Sequence, residues 1–201
     1  FPYTTLFRSR RDRSDAVVSA TEPGQTRCTP RETLDAQIVR SVSYLEPALL
    51  GASHSVDEFA CGDEELERWL RTRARTNQAT GTSRTWVIAE EGSGKVIAFY
   101  ASATSSVLRS SAPRPFRRNQ PEQIPAVLLA RLGVDLQHQG QGLAGELLRH
   151  LTSKVQELSS HVGVQLMVVH AKNAAARNFY GHYGFTSSPI DELVMMRRVP
   201  V

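Results

Sequence analysis

Hydrophobic and polar positions alternate or recur along residues 41–201 in a pattern that predicts one folded domain. Apolar residues at helical spacing predict helices that begin at Asp63, after Gly142 and at Asn173. This order of elements, with a hairpin near residue 90, predicts a mixed α/β sandwich. Runs of β-branched and aromatic residues predict strands at 44–50, 85–89, 96–103, 125–135, 164–170, 183–185 and 192–198.

The first two predicted helices each carry a continuous apolar stripe. Glu64 and Glu65 follow Asp63 in the first helical turn, where the helix dipole favours carboxylates. The predicted buried stripe is Leu66, Trp69, Leu70 and Ala74 in the first helix, and Leu147, Leu148, Leu151, Val155 and Leu158 in the second.

Two segments lack such a pattern. Residues 1–40 are rich in Arg, Ser, Thr and Asp without hydrophobic periodicity, which predicts a disordered N-terminal extension. Its opening FPYTTLFRSR resembles translated cloning sequence, and it has no apolar stretch typical of a secretory signal. Residues 104–123 contain several prolines and arginines and predict no packed element. They form either a mobile basic loop on the substrate side or a plain connector.

The composition is typical of a single globular domain. With 201 residues, of which 40% are hydrophobic, the chain can bury a sizeable core. No apolar run approaches the roughly 18 to 20 residues of a membrane-spanning helix, so we expect no membrane partner. Cys28 and Cys61 lack the spacing of a metal site, so we expect free thiols, no metal and a cytoplasmic location.

Positive charge is concentrated in the middle of the chain. Residues 68–118 hold ten Lys and Arg against two acids, a local net charge of +8, whereas the whole chain carries +4. This concentration favours a polyanionic partner, and an ordinary solvated face is the alternative. The candidate contact residues are Arg75, Arg84, Arg114, Arg117 and Arg118.

A glycine-rich turn connects an apolar strand to a helix within residues 128–148. Its glycines let backbone N–H groups face outward, and the helix start adds unpaired donors and a positive dipole end. We expect such a turn to bind an anion, here a pyrophosphate; a tight turn without a ligand is the alternative. No Lys-Ser/Thr pair follows, as a Walker A loop requires, and the turn is too compact for G-x-G-x-x-G. It comprises Gln139, Gly140, Gln141, Gly142, Leu143 and Ala144.

Gln139, Gly142 and Ala144 match the Q/R-x-x-G-x-G/A signature, so the chain resembles the GNAT superfamily of N-acetyltransferases. AKNAAARNFYGHYGF, residues 171–185, is similar to a second motif of that superfamily. The resemblance covers about residues 44–199 and implies an α/β (α+β) GNAT fold. In that fold a mixed, mostly antiparallel sheet is splayed at its central strands and carries helices on both faces. The resemblance also implies acetyl-CoA as co-substrate, with its pyrophosphate on residues 139–144.

Acetyl transfer from a thioester needs a nucleophilic amine, stabilisation of the oxyanion and an acid for the departing thiolate. By resemblance, Asn173 borders the pantetheine arm and Tyr180 lies near the thioester sulfur. Tyr180 is the predicted acid, since a phenol with a pKa near 10 keeps its proton at neutral pH; core packing is its alternative role. The predicted oxyanion donors are the backbone N–H groups of Leu132, Gly133 and Val134, where the central strand splays.

The sequence offers no clear general base. Glu122 lies in the basic segment, and His138, His170 and His182 each favour a structural or exposed role. An α-amine, with a pKa of about 7.7 to 8.0, has a usable neutral fraction at physiological pH, unlike a lysine amine near 10.4. The absence of a base therefore favours an α-amino acceptor.

Further segments, among them DEFACGDEELERWLRTRA and SSPIDELVMM, resemble the GNAT toxins of bacterial type II toxin–antitoxin systems. Those toxins acetylate the α-amine of aminoacyl-tRNA and so block translation. The resemblance implies a ribbon-helix-helix antitoxin, a homodimer and contact between the arginine group and tRNA. Two other functions stay open: a GNAT enzyme for a small amine or protein N-terminus, and a non-catalytic acetyl-CoA-binding regulator. Two features depart from the family pattern, namely Ala144 in place of the commoner glycine and about 40 additional N-terminal residues.

Overall fold

A computed structural model of the chain describes residues 44–200 and the two-residue strand Thr4–Thr5. In this part of the chain, eight strands form one sheet and five α-helices accompany it. The strands are β1 (Thr4–Thr5), β2 (Ala48–Leu49), β3 (Arg84–Ala89), β4 (Val96–Leu108), β5 (Gln123–Val134), β6 (Leu166–His170), β7 (Thr186–Ser187) and β8 (Val194–Arg198). The helices are α1 (Glu64–Thr72), α2 (Ala74–Ala79), α3 (Arg114–Arg117), α4 (Leu143–Ser159) and α5 (Ala174–His182).

The sheet is mostly antiparallel and splayed at its centre, as predicted. Its strand order is β2-β3-β4-β5-β6-β8-β7, and β5 and β6 form the parallel pair within that order. Their pairing ends at Leu129 and Val169, although β5 continues to Val134. The edge of β5 beyond Leu129 therefore has no β6 partner, and Thr4–Thr5 pair with it at Arg131 and Leu132.

A β-bulge in β5 reorients its side chains at the start of the splay. Ala101 of β4 pairs with Arg131 and Ser102 pairs with Leu129, so Ala130 is the additional residue. Ala130 and Arg131 both line a cavity on the face of the sheet that carries α1. The bulge thus directs two consecutive side chains toward one face, which regular alternation forbids.

Helices cover both faces of the sheet, which also confirms the predicted GNAT architecture. On one face, hereafter the α4 face, the predicted stripe of α4 packs with α5 and with Val127 and Leu129 of β5. Its last member, Leu158, was predicted to be buried but is exposed, because it lies near the end of α4, beyond the covering core. On the other, hereafter the α1 face, Leu66 and Leu70 of α1 pack on Val87 and Phe99. Each fully buried leucine contributes about 1.5 to 3 kcal/mol, so these two layers fix both helices to the sheet.

All three predicted helix starts are confirmed, and those at Asp63 and Asn173 have capping bonds. Asp63 Oδ1 accepts hydrogen bonds from the backbone N–H groups of Glu65 and Leu66, at 2.9 and 3.2 Å. Burial opposes ionisation of Asp63, but hydrogen bonds from Lys172 and from the α1 backbone hold its pKa below the ordinary value. Asn173 Oδ1 caps α5 by accepting from the N–H of Ala176 at 2.9 Å.

The prediction of no packed element over residues 104–123 is wrong. β4 runs through Leu108 and pairs with β5 as far as Gln123, and a 3₁₀ turn and α3 fill the connection. Val107, Ala112 and Ile124 are buried in one cluster with residues of β5, β6 and β8. The second half of β4 consists mainly of Ser, Thr and Ala, which give a weak strand signal. The strand forms there because β5, a non-local partner, pairs with it.

Smaller corrections concern strand limits and one tryptophan. The 44–50 strand is reduced to Ala48–Leu49 with an isolated bridge from Tyr44 to Glu90. Residues 183–185 are no strand: Tyr183 ends α5 and Gly184 is left-handed, with φ +81°. Trp69 is half-buried, because its ring stacks on Phe99 at the side of the core rather than within it.

Other predictions fall outside the described residues. The disordered extension at 1–40 is not described apart from Thr4–Thr5, and the thiol state of Cys28 lies outside as well. Cys61 is a buried free thiol. Within residues 44–200, no helix is both long and apolar enough to cross a bilayer.

Candidate active site

The glycine-rich turn presents an uncapped helix start. Gly140 and Gly142 have φ of +80° and +84°, a left-handed conformation that other residues rarely adopt, and an added Cβ at either would meet nothing within 4 Å. Gly142 is the N-cap of α4 and supplies no side-chain cap. The first-turn N–H groups of Leu143, Ala144 and Gly145 therefore have no acceptor within the helix and are available to a ligand. The glycines are required for backbone conformation and not for space.

A cavity of about 190 Å³ lies against this helix start, on the α4 face. It is hereafter the turn cavity. Its position at an uncapped, 17-residue helix fits the pyrophosphate of acetyl-CoA, since the helix offers N–H donors and a positive dipole end. The lining residues include most of the predicted pyrophosphate set: Val134, His138, Gln139, Gly140, Gly142, Leu143, Ala144, Gly145, Phe179 and Tyr183.

The two glutamines of the turn bind the protein's own groups. Gln139 Nε2 donates to the carbonyls of Val134 and Cys61, at 3.0 and 3.3 Å, and so ties the turn to the end of β5. Gln141 Oε1 accepts from the hydroxyl of Tyr44 at 2.5 Å. Both side chains thus position the turn, and the backbone is what the turn offers to a ligand.

Tyr183 and Gly145 also belong to this site, although the sequence did not indicate either. A Cβ added at Gly145 would lie 2.0 Å from the hydroxyl oxygen of Tyr183 and 2.9 Å from its Cζ. The phenol of Tyr183 therefore lies directly across the first turn of α4. The sequence does show a glycine, Gly145, one position after the signature. Its cause is a contact with Tyr183, which lies in a distant segment and cannot be read from the spacing.

Tyr180 is completely buried on the α4 face. Its ring contacts Phe179 and Phe185, with centroids 5.2 and 5.6 Å apart, both in edge-to-face geometry. It shares one cluster with Leu132 and Val134 of β5, and with Leu143 and Ala144 of α4. The predicted acid is therefore packed among residues of both the splayed strand and the turn.

A second cavity, of about 230 Å³, lies on the α1 face at the same stretch of β5. It is hereafter the acceptor-side cavity. Arg131, one of its lining residues, lies over the Trp69 ring at 5.1 Å, with its Nη1 3.5 Å from Glu65 Oε1. The other lining residues include Trp69, Ser83, Thr104, Leu128 and Ala130. None of these was a predicted site residue, because the α1 helix and the β5 bulge meet only in the folded chain.

His170 lies at the edge of the same region. It is the first β6 residue after the last β5–β6 pair, Leu129 with Val169. Val168 is buried in one cluster with Leu128, which lines the acceptor-side cavity, and Val194, the residue paired with His170, packs against that cluster. Alternation along β6 therefore places His170 on the α1 face. Burial lowers the pKa of His170, while Asp191 opposes this effect. The imidazole is therefore neutral at physiological pH.

The predicted arginine group separates into two kinds of residue. Arg75, Arg84 and Arg117 donate to backbone carbonyls, namely those of His54, Gln78 and Ala112. Arg114 and Arg118 are exposed, form no ion pair with any described residue, and line an open hollow of about 440 Å³ together with Arg109 and Arg117.

Arg75 lies apart from this hollow. The loop it bonds, at Gly51 and His54, neighbours the β3–β4 turn, since Ser55 N donates to Gly94 O. The hollow is at the opposite end of β4, which is 13 residues or about 40 Å long.

Comparisons with known proteins agree with this geometry. Residues 81–187 match the acetyltransferase (GNAT) domain. The chain is 38% identical, over 76% of its length and 91% of the relative, to the tRNA-acetylating toxin of Mycobacterium tuberculosis strain ATCC 25618 / H37Rv. AtaT complexed with acetyl-methionyl-tRNAfMet is similar in structure, with a TM-score of 0.73, 26% identity, and coverage of 78% of this chain and 95% of AtaT.

A second solved structure extends the comparison to a ligand. A tyrosine-to-phenylalanine variant of AtaT, bound to the C-terminus of the antitoxin AtaR and to acetyl-CoA, has a TM-score of 0.67 and 24% identity. The match covers 78% of this chain and 93% of that one. The matched domain and the 38% identical relative show that the chain belongs to the GNAT family of acetyltransferases, in agreement with its splayed sheet and uncapped helix start.

Proposed function

We propose that this protein is an acetyl-CoA-dependent N-acetyltransferase toxin that acetylates the α-amino group of aminoacyl-tRNA and thereby blocks translation. One observation carries the proposal: the turn cavity and the acceptor-side cavity lie on opposite faces of the sheet at residues 128–134 of β5, where β6 diverges. A thioester on one face and an amine on the other can meet only at such an opening. The similarity to a tRNA-acetylating toxin supports tRNA as the carrier of the amine.

Acetyl-CoA, when bound, supplies an acetyl group activated as a thioester. The N–H groups of residues 143–145 hold its pyrophosphate, and the edge of β5 at 132–134, which has no β6 partner, donates hydrogen bonds to the acetyl carbonyl. β1 pairs with part of this edge, at Arg131 and Leu132. Tyr180 donates the proton from its hydroxyl to the leaving sulfur.

The amine approaches from the acceptor-side cavity. Its α-amino group has a neutral fraction at physiological pH, and attack on the carbonyl converts it to an ammonium that must lose a proton. His170, neutral and on the same face as the cavity, accepts that proton. Trp69, Leu128 and Ala130 surround the side chain of the aminoacyl group with apolar surface.

Replacement of His170 by Gln should change the pH profile of acetyl transfer. A protonated imidazole cannot accept a proton. Below the lowered pKa of His170, the wild-type kcat/KM therefore falls because two groups bind a proton, the amine and His170. The logarithmic slope therefore steepens from one to two in the wild type and stays at one in His170→Gln, whose rate is about a hundredfold lower near neutrality. The exposed His182→Gln is the control, and equal slopes in all three proteins would contradict the role of His170.

Arg114 and Arg118 contact the phosphate backbone of the tRNA acceptor end in this proposal, with Arg84 near the acceptor-side cavity. Arg114→Gln/Arg118→Gln should reduce transfer to charged tRNA about tenfold. The slope of log tRNA affinity against log salt concentration should become shallower by about one to two units, about one for each lost phosphate contact. Acetyl-CoA affinity should be unchanged. Lys154→Gln/Arg177→Gln, which removes two cations from the α4 face, is the matched control. Equal effects of the two double variants would contradict a specific contact.

Further partners follow from the same proposal. AtaT has been solved with the C-terminus of its antitoxin AtaR, and we propose that a ribbon-helix-helix antitoxin likewise binds this chain. We also propose a homodimer, acting in the cytoplasm where aminoacyl-tRNA is found.

The direct test is transfer of radiolabelled acetyl from acetyl-CoA to a total pool of aminoacylated tRNA, with deacylated tRNA as control. Label confined to the charged pool and released by mild ester hydrolysis is expected. Label absent from tRNA but present on small amines or protein N-termini would support the enzymatic alternative. Binding of acetyl-CoA without transfer to any amine would indicate a regulator.

A further inference from the structure

A small cavity adjoins the turn cavity on the α4 face and has no role in the function proposed so far. It has a volume of about 150 Å³ and lies one helical turn beyond the start of α4. Its lining contains two arginines and no acid: Leu148, Arg149, Thr152, Ser153, Gln156, Tyr183 and Arg197. Among the described residues, neither Arg149 nor Arg197 forms an ion pair or a hydrogen bond. Two uncompensated guanidinium groups therefore face one cavity.

Other arginines that line a cavity in the described part of the chain have an acid beside them. Arg131 and Arg177 each face a glutamate, and the hollow beside Arg114 contains Glu122. Arg197 is half-buried, so its charge has lost part of its hydration without gaining a partner. Two such cations, brought together from α4 and β8, are the usual environment of a phosphate group.

Tyr183 is the link between this cavity and the turn cavity. Its ring lines both, and its hydroxyl lies against Gly145 at the first turn of α4. Arg149 is four residues further along the helix, a rise of about 6 Å. A ligand anchored at the helix start that crosses the Tyr183 ring therefore reaches the two arginines after about one helical turn.

We propose that Arg149 and Arg197 bind the 3′-phosphate of the coenzyme A nucleotide. The inference rests on the acetyl-CoA part of the proposed function. Coenzyme A carries its pyrophosphate at the 5′ position and a phosphomonoester at the 3′ position of one ribose, so a single ribose separates the two anions. A phosphomonoester carries a charge of about −1.5 to −2 at neutral pH, which two guanidinium groups balance.

The test compares coenzyme A with 3′-dephospho-coenzyme A, which lacks only this phosphate, by calorimetric binding to the full chain. The wild type should bind coenzyme A about tenfold to a hundredfold more tightly than the dephospho form. In Arg149→Gln/Arg197→Gln, this ratio should fall to about one while the affinity for the dephospho form stays unchanged. Arg149→Lys/Arg197→Lys, which keeps both charges, should retain part of the preference.

Arg68→Gln/Arg73→Gln is the control, since it removes two exposed charges from the α1 face and should leave the ratio at its wild-type value. A wild-type ratio of one, or an equal ratio in the wild type and the Arg149/Arg197 variant, would overturn the inference alone. Failure of the wild type to bind either nucleotide would overturn the acetyl-CoA proposal together with it.

Discussion

Tyr180→Phe should lower the kcat of acetyl transfer by about 10² to 10⁴ while acetyl-CoA affinity stays at the wild-type level. The substitution removes one hydroxyl from a completely buried ring and keeps its edge-to-face contacts with Phe179 and Phe185. Transfer then lacks its proton donor for the departing thiolate, whereas the turn cavity is intact. The measurements are single-turnover transfer to charged tRNA, calorimetric acetyl-CoA binding and growth arrest on induction, which the variant should relieve.

Tyr100→Phe is the matched control, because Tyr100 is equally buried and belongs to the same cluster. Its hydroxyl is 2.9 Å from His150 Nδ1, so its removal should reduce stability by about 1 kcal/mol without a comparable loss of kcat. If Tyr180→Phe remains toxic, or if both variants lose activity equally, Tyr180 serves packing alone.

Gly145→Ala should both destabilise the protein and weaken acetyl-CoA binding. In an ordinary helix position this substitution gains about 1 kcal/mol of helix propensity. Here the new Cβ would lie 2.0 Å from the Tyr183 hydroxyl, and such overpacking costs about 1 to 3 kcal/mol. Because the ring must move and it lines the turn cavity, we expect a midpoint of thermal unfolding lower by up to about 8 °C and an acetyl-CoA affinity at least about tenfold weaker.

Gly181→Ala provides the comparison, since Gly181 is also helical but an added Cβ meets nothing within 4 Å. It should be neutral or stabilising. A Gly145→Ala variant that matches Gly181→Ala in both stability and acetyl-CoA affinity would show that Tyr183 moves without consequence.

Local signals in the sequence were sufficient for the helix starts and the glycine turn. Asp63 and Asn173 cap their helices through bonds to residues two or three positions away, so the information lies within one turn of chain. The left-handed φ of Gly140 and Gly142 is likewise a property of the residue itself. The apolar stripe of α4 indicated its buried face because helical periodicity is local.

Non-local pairing accounts for the errors. The second half of β4 is a strand because β5 pairs with it residue by residue, and no neighbour in sequence reveals that partner. Tyr183, expected in a strand, instead ends α5 and crosses α4 at Gly145. Arg75, grouped with Arg114 and Arg118 by composition, is separated from them by the length of β4.

The sequence by itself determined the fold class, the helix starts and the glycine turn, since each depends on residue type and spacing within a few positions. Only the tertiary structure decided which side chains share a cavity. The bulge at Ala130, the end of β6 at His170 and the approach of Arg197 to Arg149 each bring together segments far apart in the chain. Such contacts depend on strand register and helix packing, and the spacing of residues along one segment does not encode either.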